Sequence, residues 1–93
     1  MAEVIKKALA NYLRVHGRRL YSIAQVTGQD YIDIEVSALY RYHEPTERYP
    51  KIMIAINEVL NSGGKIDEEL ILVKRNDEVY IRIPIRKIPE YFE

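Results

Sequence analysis

The chain of 93 residues contains no cysteine. This absence excludes a disulfide-stapled scaffold, a zinc site built on thiolates and a cysteine nucleophile. Long apolar runs are missing as well, since Lys6 and Lys7 interrupt the first one and no segment approaches the roughly 18 apolar residues of a membrane-spanning helix. The start of the chain, 1–11, is typical of a charged helix rather than of a signal peptide. We therefore expect a cytoplasmic protein without a membrane partner.

The chain also lacks a net charge, because 14 basic residues balance 14 acidic ones. Non-specific binding of nucleic acid depends mainly on positive patches, so a dominant phosphate-binding surface is disfavoured while a local patch stays open. Hydrophobic residues make up 47% of the chain, as in a globular domain. The many Ile, Tyr, Lys, Arg and Glu residues are thermophile-like, and an AT-rich genome produces a similar bias.

Motifs for catalysis and for cofactors are absent. The chain has no glycine-rich dinucleotide or phosphate loop, no Gly-x-Ser-x-Gly elbow and no His-Glu-x-x-His pair. Of its two histidines, His16 is expected at a helix end and His43 in a loop beside Glu44. We therefore expect no enzyme, no metal and no cofactor. An enzymatic interpretation could start only from His43 with Glu44, or from a tyrosine of the sheet such as Tyr80.

The two halves of the sequence match each other at a separation of 47 residues. The matched pairs include Ile5/Ile52, Leu13/Leu60, Gly17/Gly64 and Ile34/Ile81. Repeats of one supersecondary unit bury their apolar faces by stacking on each other. This spacing predicts a single domain, 1–93, built by internal duplication of an αββ unit at about 3–42 and 50–88.

Apolar periodicity assigns the same elements to both halves. The first half is predicted as a helix over 3–16, ended by Gly17, followed by strands over 20–27 and 31–42. The second half is predicted as a helix over 50–61, ended by Ser62-Gly63-Gly64, followed by strands over 69–74 and 78–87. Two prolines in the intervening loop oppose regular pairing there.

The predicted fold class is α+β, with a two-layer αββαββ arrangement, a four-stranded antiparallel sheet, two helices on one face and a pseudo-twofold axis. Opposite charges attract across a sheet, so Asp33 and Glu35 are expected to face Arg82 and Arg86. That pairing makes the strands 31–42 and 78–87 adjacent and central. The alternative order puts both strands at the edges, which suits Pro84 because proline is rare in central strands.

The apolar faces of these elements predict the core. Six side chains are expected to be nearly fully buried: Leu9, Leu13, Ile34, Ile56, Leu60 and Ile81. Met53 and Ile54 exceed what one buried helix stripe needs, and the apolar tail 87–93 is expected to fold back on the helices. The sheet edges 20–27 and 69–74 carry few charges and invite pairing with another chain, so we expect a homodimer.

Two stretches are candidate contact surfaces. The loop 40–49 interleaves tyrosine with arginine, a pattern of single-strand nucleic-acid binders and of protein–protein hot spots, although Glu44 and Glu47 would repel phosphate. The first 19 residues hold five basic side chains against one acid, Glu3. The candidate contact residues are Arg14, Arg18, Arg19, Tyr40, Arg41, Tyr42, His43, Arg48 and Tyr49.

These observations predict a small non-enzymatic interaction module that acts through a macromolecular contact surface and self-associates. The alternative is a nucleic-acid-binding protein that uses the loop 40–49 and the basic N-terminal patch. In a third interpretation, the loop is only a connection whose tyrosines cover the end of the core.

Overall fold

The computed structural model describes residues 2–42 and 49–92, with Tyr49 and Pro50 described by their backbone only. Its elements are the helices α1 (Ala2–Thr27) and α2 (Tyr49–Asn61) and the strands β1 (Tyr31–Glu35), β2 (Ile71–Arg75) and β3 (Glu78–Pro84). A first 3₁₀ helix, Val36–Arg41, follows β1, and a second, Ile85–Tyr91, follows β3. The predicted α+β class is confirmed. Within the described ranges, no helix has both the length and the apolar character needed to cross a membrane.

The sheet has three strands in the order β1-β3-β2, with β3 antiparallel to both neighbours. Asp33 lies opposite Arg82, and the distance from Arg82 Nε to Asp33 Oδ1 is 2.9 Å. The predicted adjacency of these two strands and the pairing of these two charges are therefore confirmed. The predicted partnership of Glu35 with Arg86 is wrong, because β3 ends before Arg86, which forms an ion pair with Glu69 instead.

Pro84 is tolerated in a central strand because it is the last residue of β3. The N–H of Ile85 donates to the carbonyl of Asp30 at 3.0 Å, so odd-numbered residues of this segment direct their backbone groups toward β1. By the alternation of antiparallel ladders, the nitrogen of Pro84 is directed toward the β2 side. β2 begins only at Ile71, opposite Arg82, so the missing N–H removes no ladder bond.

The predicted strand 20–27 is wrong, because α1 continues through it to Thr27. Gly17 does not end the helix. It is buried inside α1, and a Cβ at this position would lie 3.3 Å from the Phe92 ring. The helix ends at Gly28, whose φ of 70° is the left-handed conformation of a C-cap, and the next N–H, of Gln29, donates to the carbonyl of Ala24 at 3.0 Å.

Because this strand is helical, the sheet has three strands rather than four, and β1 is an edge rather than a central strand. The two halves also differ in element order, since β2 has no counterpart before β1. The structure therefore shows no duplication, although α1 and α2, like β1 and β3, begin 47 residues apart. Of the other three strand predictions, 69–74 corresponds to β2, whereas 31–42 and 78–87 were too long, because a 3₁₀ helix replaces the end of each.

The core lies between the helices and one face of the sheet, because the sheet residues in it all alternate to that side: Ile32, Ile34, Leu72, Val79, Ile81 and Ile83. Of the six predicted core residues, five are buried and Leu60 is half-buried. The tail folds back as predicted: Ile88 is fully buried, and Phe92 makes an edge-to-face contact with Tyr21 at 5.7 Å between ring centroids.

Candidate contact surface

One side of α1 carries a row of exposed and half-buried residues that we call the helix stripe. Its members are Tyr12, Val15, His16, Arg19, Ile23 and Val26. Apart from the adjacent pair Val15 and His16, they follow one another at steps of three or four residues, and all six lie within about 100° around the helix axis. The exposed fractions are 64% for Val15, 49% for Ile23 and 87% for Val26. The second half of α1 is therefore apolar on two sides, of which one packs on the tail.

Tyr42, just beyond the first 3₁₀ helix, packs on the beginning of the helix stripe. Its hydroxyl lies 2.8 Å from Nε2 of His16, and its ring meets the Tyr12 ring edge-on at 5.4 Å between centroids. The Tyr12 and His16 rings are 4.7 Å apart. The side-chain amide of Asn11 donates to the Tyr42 carbonyl at 2.8 Å, so both the backbone and the side chain of Tyr42 are held against α1.

The two contacts of His16 fit one tautomer of its ring. Nη2 of Arg19 is 3.3 Å from Nδ1 of His16, and a guanidinium only donates hydrogen bonds. The tautomer with its hydrogen on Nε2 satisfies both contacts, because Nδ1 then accepts from Arg19 and Nε2 donates to the Tyr42 hydroxyl. In that arrangement the Tyr42 hydroxyl hydrogen is directed to another acceptor.

Tyr12 stays protonated at neutral pH. Burial raises the pKa of its hydroxyl, Arg19 lowers it in part, and Tyr42 raises it further. A phenol of raised pKa serves as a hydrogen-bond donor and as an aromatic surface rather than as a nucleophile or a general base.

An open depression of about 330 Å³ lies between α1 and the first 3₁₀ helix. Its lining consists of Tyr12, His16, Ser37, Ala38, Arg41 and Tyr42. We call the helix stripe together with Arg41 and Tyr42 the contact surface. Its polar groups toward solvent, from Arg19, Arg41 and Tyr42, are hydrogen-bond donors, so its chemistry complements carboxylate or phosphate groups.

Of the nine sequence-predicted contact residues, the structure brings three together in the contact surface: Arg19, Arg41 and Tyr42. Arg14 and Arg18 project elsewhere from α1, where Arg14 donates to Asn11 at 3.1 Å and Arg18 lies 4.7 Å from the centroid of the Phe92 ring. Tyr40 lines a different depression, next to Met53. His43, Arg48 and the side chain of Tyr49 lie outside the described residues.

Sequence reasoning missed five members of the contact surface. Tyr12 is half-buried against the core as well as part of this surface, and His16 was expected only at a helix end. Ile23 and Val26 were assigned to a sheet edge over 20–27 rather than to a helix, and Val15 was given no role. The signal was present in the spacing: the steps of three and four residues from Tyr12 to Val26 cross Gly17 without interruption. Because Gly17 was interpreted as the end of the helix, the residues after it were not assigned to the same helix face as Tyr12 and Val15.

The sheet tyrosine Tyr80 has a carboxylate partner two residues away. Its hydroxyl donates to the carboxylate of Glu78 at 2.6 Å, and this hydrogen bond raises the pKa of Tyr80. Within residues 2–42 and 49–92, no group of three His, Cys, Asp or Glu side chains is placed to hold a metal ion. His43 and Glu44 lie outside the described residues.

Comparison of the chain with protein-family models, with curated proteins and with solved structures gives no match. The functional argument therefore starts from the geometry of the contact surface itself.

Proposed function

We propose that this chain is a non-enzymatic binding module that contacts another protein through the contact surface. The exposed aliphatic side chains of Val15, Ile23 and Val26 carry the proposal. A surface helix normally turns its apolar residues toward one core, whereas α1 has a second apolar row with no cover from the described residues. Tyrosine and arginine beside such a row make the composition of a protein–protein hot spot.

The chemistry of the surface describes the partner. Arg19 lies in the middle of the helix stripe, and Arg41 and Tyr42 add donors at one end. An apolar partner surface with carboxylates placed to meet these donors fits best. A second copy of α1 packed antiparallel about Arg19 fits poorly, because two guanidinium groups would then meet at the axis.

Self-association is the second part of the proposal, and it must use another surface. The tail no longer supports it, because Phe92 is packed on Tyr21 within the same chain. Of the two predicted sheet edges, 20–27 is helical and the edge of β2 is partly covered by the segment before it. Support for self-association now comes from the open edge of β1, and the homodimer stays a prediction. A cytoplasmic location also stays part of the proposal, on the cysteine-free composition.

Nucleic-acid binding is the alternative function. It is supported by the grouping of two arginines with the His16 and Tyr42 rings in one depression, which a single strand could use for phosphate contact and base stacking. Three features favour protein instead: the aliphatic row offers nothing to a phosphate backbone, the aromatic rings already contact one another, and the net charge is zero.

The experiment compares charge-introducing variants at matched positions. Ile23→Glu lies in the helix stripe, and Ile54→Glu is its control on α2, since the two side chains are 49% and 50% exposed. Arg19→Glu reverses a charge in the helix stripe, and Lys74→Glu is its control, because it makes the same change of charge outside the contact surface. Proteins retained by the immobilised chain are identified by mass spectrometry, and the purified candidates are titrated by calorimetry.

We expect a protein that binds the wild type and both controls and loses at least about tenfold in affinity with Ile23→Glu and Arg19→Glu. Equal binding to all variants would contradict the proposal. Labelled single-stranded oligonucleotides are titrated in parallel at about 50 and 200 mM salt. Saturable binding that Tyr42→Ala weakens by roughly 1–3 kcal/mol would replace the proposal with the alternative.

A further inference from the structure

β1 presents an open edge, and the hydrogen-bond pattern shows which residues face it. The Ile85 N–H bonds to the Asp30 carbonyl, so Asp30 and every second residue after it direct their backbone groups toward β3. Tyr31 and Asp33 therefore direct their N–H and carbonyl groups away from the sheet, and Glu35 directs its N–H there. The carbonyl of Glu35, the N-cap of the first 3₁₀ helix, already accepts the first bond of that helix and would share its second lone pair with a partner strand. Among the described residues, β1 is paired only with β3.

The opposite edge of the sheet is partly occupied. The N–H of Leu72 donates to the carbonyl of Gly64 at 2.6 Å, and a single bridge joins Lys65 to Ile71. The chain segment before β2 thus covers the beginning of that strand. β1 is the edge that these residues leave uncovered.

We infer that β1 of a second copy of this chain pairs antiparallel with β1 about a twofold axis at Asp33. The two sheets then join into one sheet of six strands. This inference rests on the proposed self-association and does not involve the contact surface. Because both β1 edges are used, the assembly closes as a dimer and does not extend into a fibre.

The register follows from the number of bonds. With Asp33 opposite Asp33 of the partner subunit, Tyr31 lies opposite Glu35 of the partner subunit, and the reverse pair completes three hydrogen-bonded pairs with about six bonds. A shift by two residues in either direction keeps only two of these pairs. A shift by one residue would place core side chains on the solvent face.

The side chains agree with this register. The two Asp33 carboxylates would face each other, but each is only 11% exposed and is paired with its own Arg82 and Arg75, at 2.9 and 3.1 Å. The repulsion that opposes two facing acids is therefore neutralised within each subunit. On the other face, half-buried Ile32 meets Ile34 of the partner subunit and extends the core.

Glu35→Pro tests the edge without disturbing the strand. Glu35 has φ −63° and ψ 131°, which proline adopts without strain, and its N–H makes no bond within the sheet. The substitution removes about two of the six bonds and puts a ring where the partner strand would lie. Glu35→Ala is the matched control, because it removes the same charge and keeps the N–H.

Molar mass is measured by light scattering and sedimentation up to about 1 mM chain. We expect the wild type and Glu35→Ala to approach twice the 11.0 kDa chain mass. Glu35→Pro should raise the dissociation constant of the dimer at least about tenfold, with no fall in melting temperature. A dimer that Glu35→Pro leaves unchanged would overturn the inference while self-association stands. A wild type that is monomeric throughout would overturn both, and the proposal for the contact surface would be unaffected.

A cross-linking measurement covers the case in which Glu35→Pro fails to fold. The chain has no cysteine, so Tyr31→Cys and Glu35→Cys can be prepared as separate proteins. In the proposed register these two positions face each other with Cα atoms about 5.5 Å apart, whereas Tyr31 and its own copy are about 14 Å apart. A short bis-maleimide should join the mixed proteins and neither protein alone. Equal cross-linking in all three samples, or none in the mixture, would contradict the register.

Discussion

At the scale of single residues, Asp33 organises the open face of the sheet. Its carboxylate accepts two hydrogen bonds from Arg82, at 2.9 and 3.2 Å, and Arg75 reaches it from β2 at 3.1 Å. The Arg82 guanidinium also lies 4.0 Å from the centroid of the Tyr31 ring. One acid thus links all three strands, and the hydrogen bond that Arg82 donates to Asp33 raises the pKa of Arg82.

Leu13 and Leu60, which match in the repeat, should differ in their contribution to stability. Leu13 is buried, whereas Leu60 is only half-buried. We expect Leu13→Ala to lower the free energy of unfolding by about 2–5 kcal/mol, since it removes buried methyl groups and leaves a cavity. Leu60→Ala should cost less, because water and neighbours can fill its site. Urea denaturation measures both, and an equal loss would contradict the difference in burial.

Asp67 should make the protein sensitive to acid. Burial acts to raise the pKa of its carboxyl, but the N–H groups of Glu69 and Leu70, at 2.8 and 2.9 Å, and the ammonium of Lys6, at 3.1 Å, together hold the pKa below its usual value. A carboxyl whose pKa is lower in the folded state contributes stability above its unfolded pKa of about 4. This contribution is lost as the pH falls through the folded value.

The free energy of unfolding should therefore fall as the pH is lowered below about 4. Asp67→Asn should flatten part of this fall, because the amide oxygen still accepts both N–H bonds but does not titrate. Urea titrations between about pH 5 and 2.5 measure the slopes, and identical slopes for the wild type and Asp67→Asn would contradict the assignment.

At the scale of elements, the length of α1 determines the rest of the fold. Its second half packs on the tail at Gly17, where the absence of a side chain permits the approach of Phe92 and Ile88. Because residues 20–27 belong to these helical turns, they do not form a strand beside β1. The helix stripe and the open edge of β1 both follow from this one extension.

The substitution Ser22→Pro tests directly whether α1 continues beyond Gly17. Ser22 is an exposed residue in the last turns of α1. Proline inside a helix removes a hydrogen bond and clashes with the preceding turn, at a cost of about 3 kcal/mol or more. We expect a loss of helical circular dichroism and a lower melting temperature. A loss below about 1 kcal/mol would favour the sequence-based strand over 20–27, where an edge position accepts proline.

At the scale of the whole molecule, the two halves of the chain depend on each other. β3 from the second half is the only neighbour of β1 among the described residues, and the apolar residues of both helices join the same core. A fold built this way should unfold as one unit. We expect circular dichroism and tyrosine fluorescence to report the same midpoint in urea. Two separate transitions would show that the halves are stable on their own.

The sequence by itself determined the α+β class, both helix starts, the end of α2, the β2–β3 hairpin, the contact between Asp33 and Arg82 and five of six core residues. Each of these depends on local periodicity, on turn chemistry or on one pair of opposite charges. It also indicated Arg19, Arg41 and Tyr42 as candidate contact residues, from composition alone, and the structure places these three near one another.

Only the tertiary structure decided what Gly17 does. A glycine after an apolar helical stretch is typical of a C-cap, and no local pattern distinguishes it from a glycine that admits a distant ring. The ring belongs to Phe92, 75 positions further along the chain. Because the tail packs there, the helix continues, the fourth strand does not form, and Tyr12, His16 and Tyr42 meet on one surface. That outcome depends on a contact between two segments far apart in the sequence. The apolar periodicity within either segment does not predict this contact.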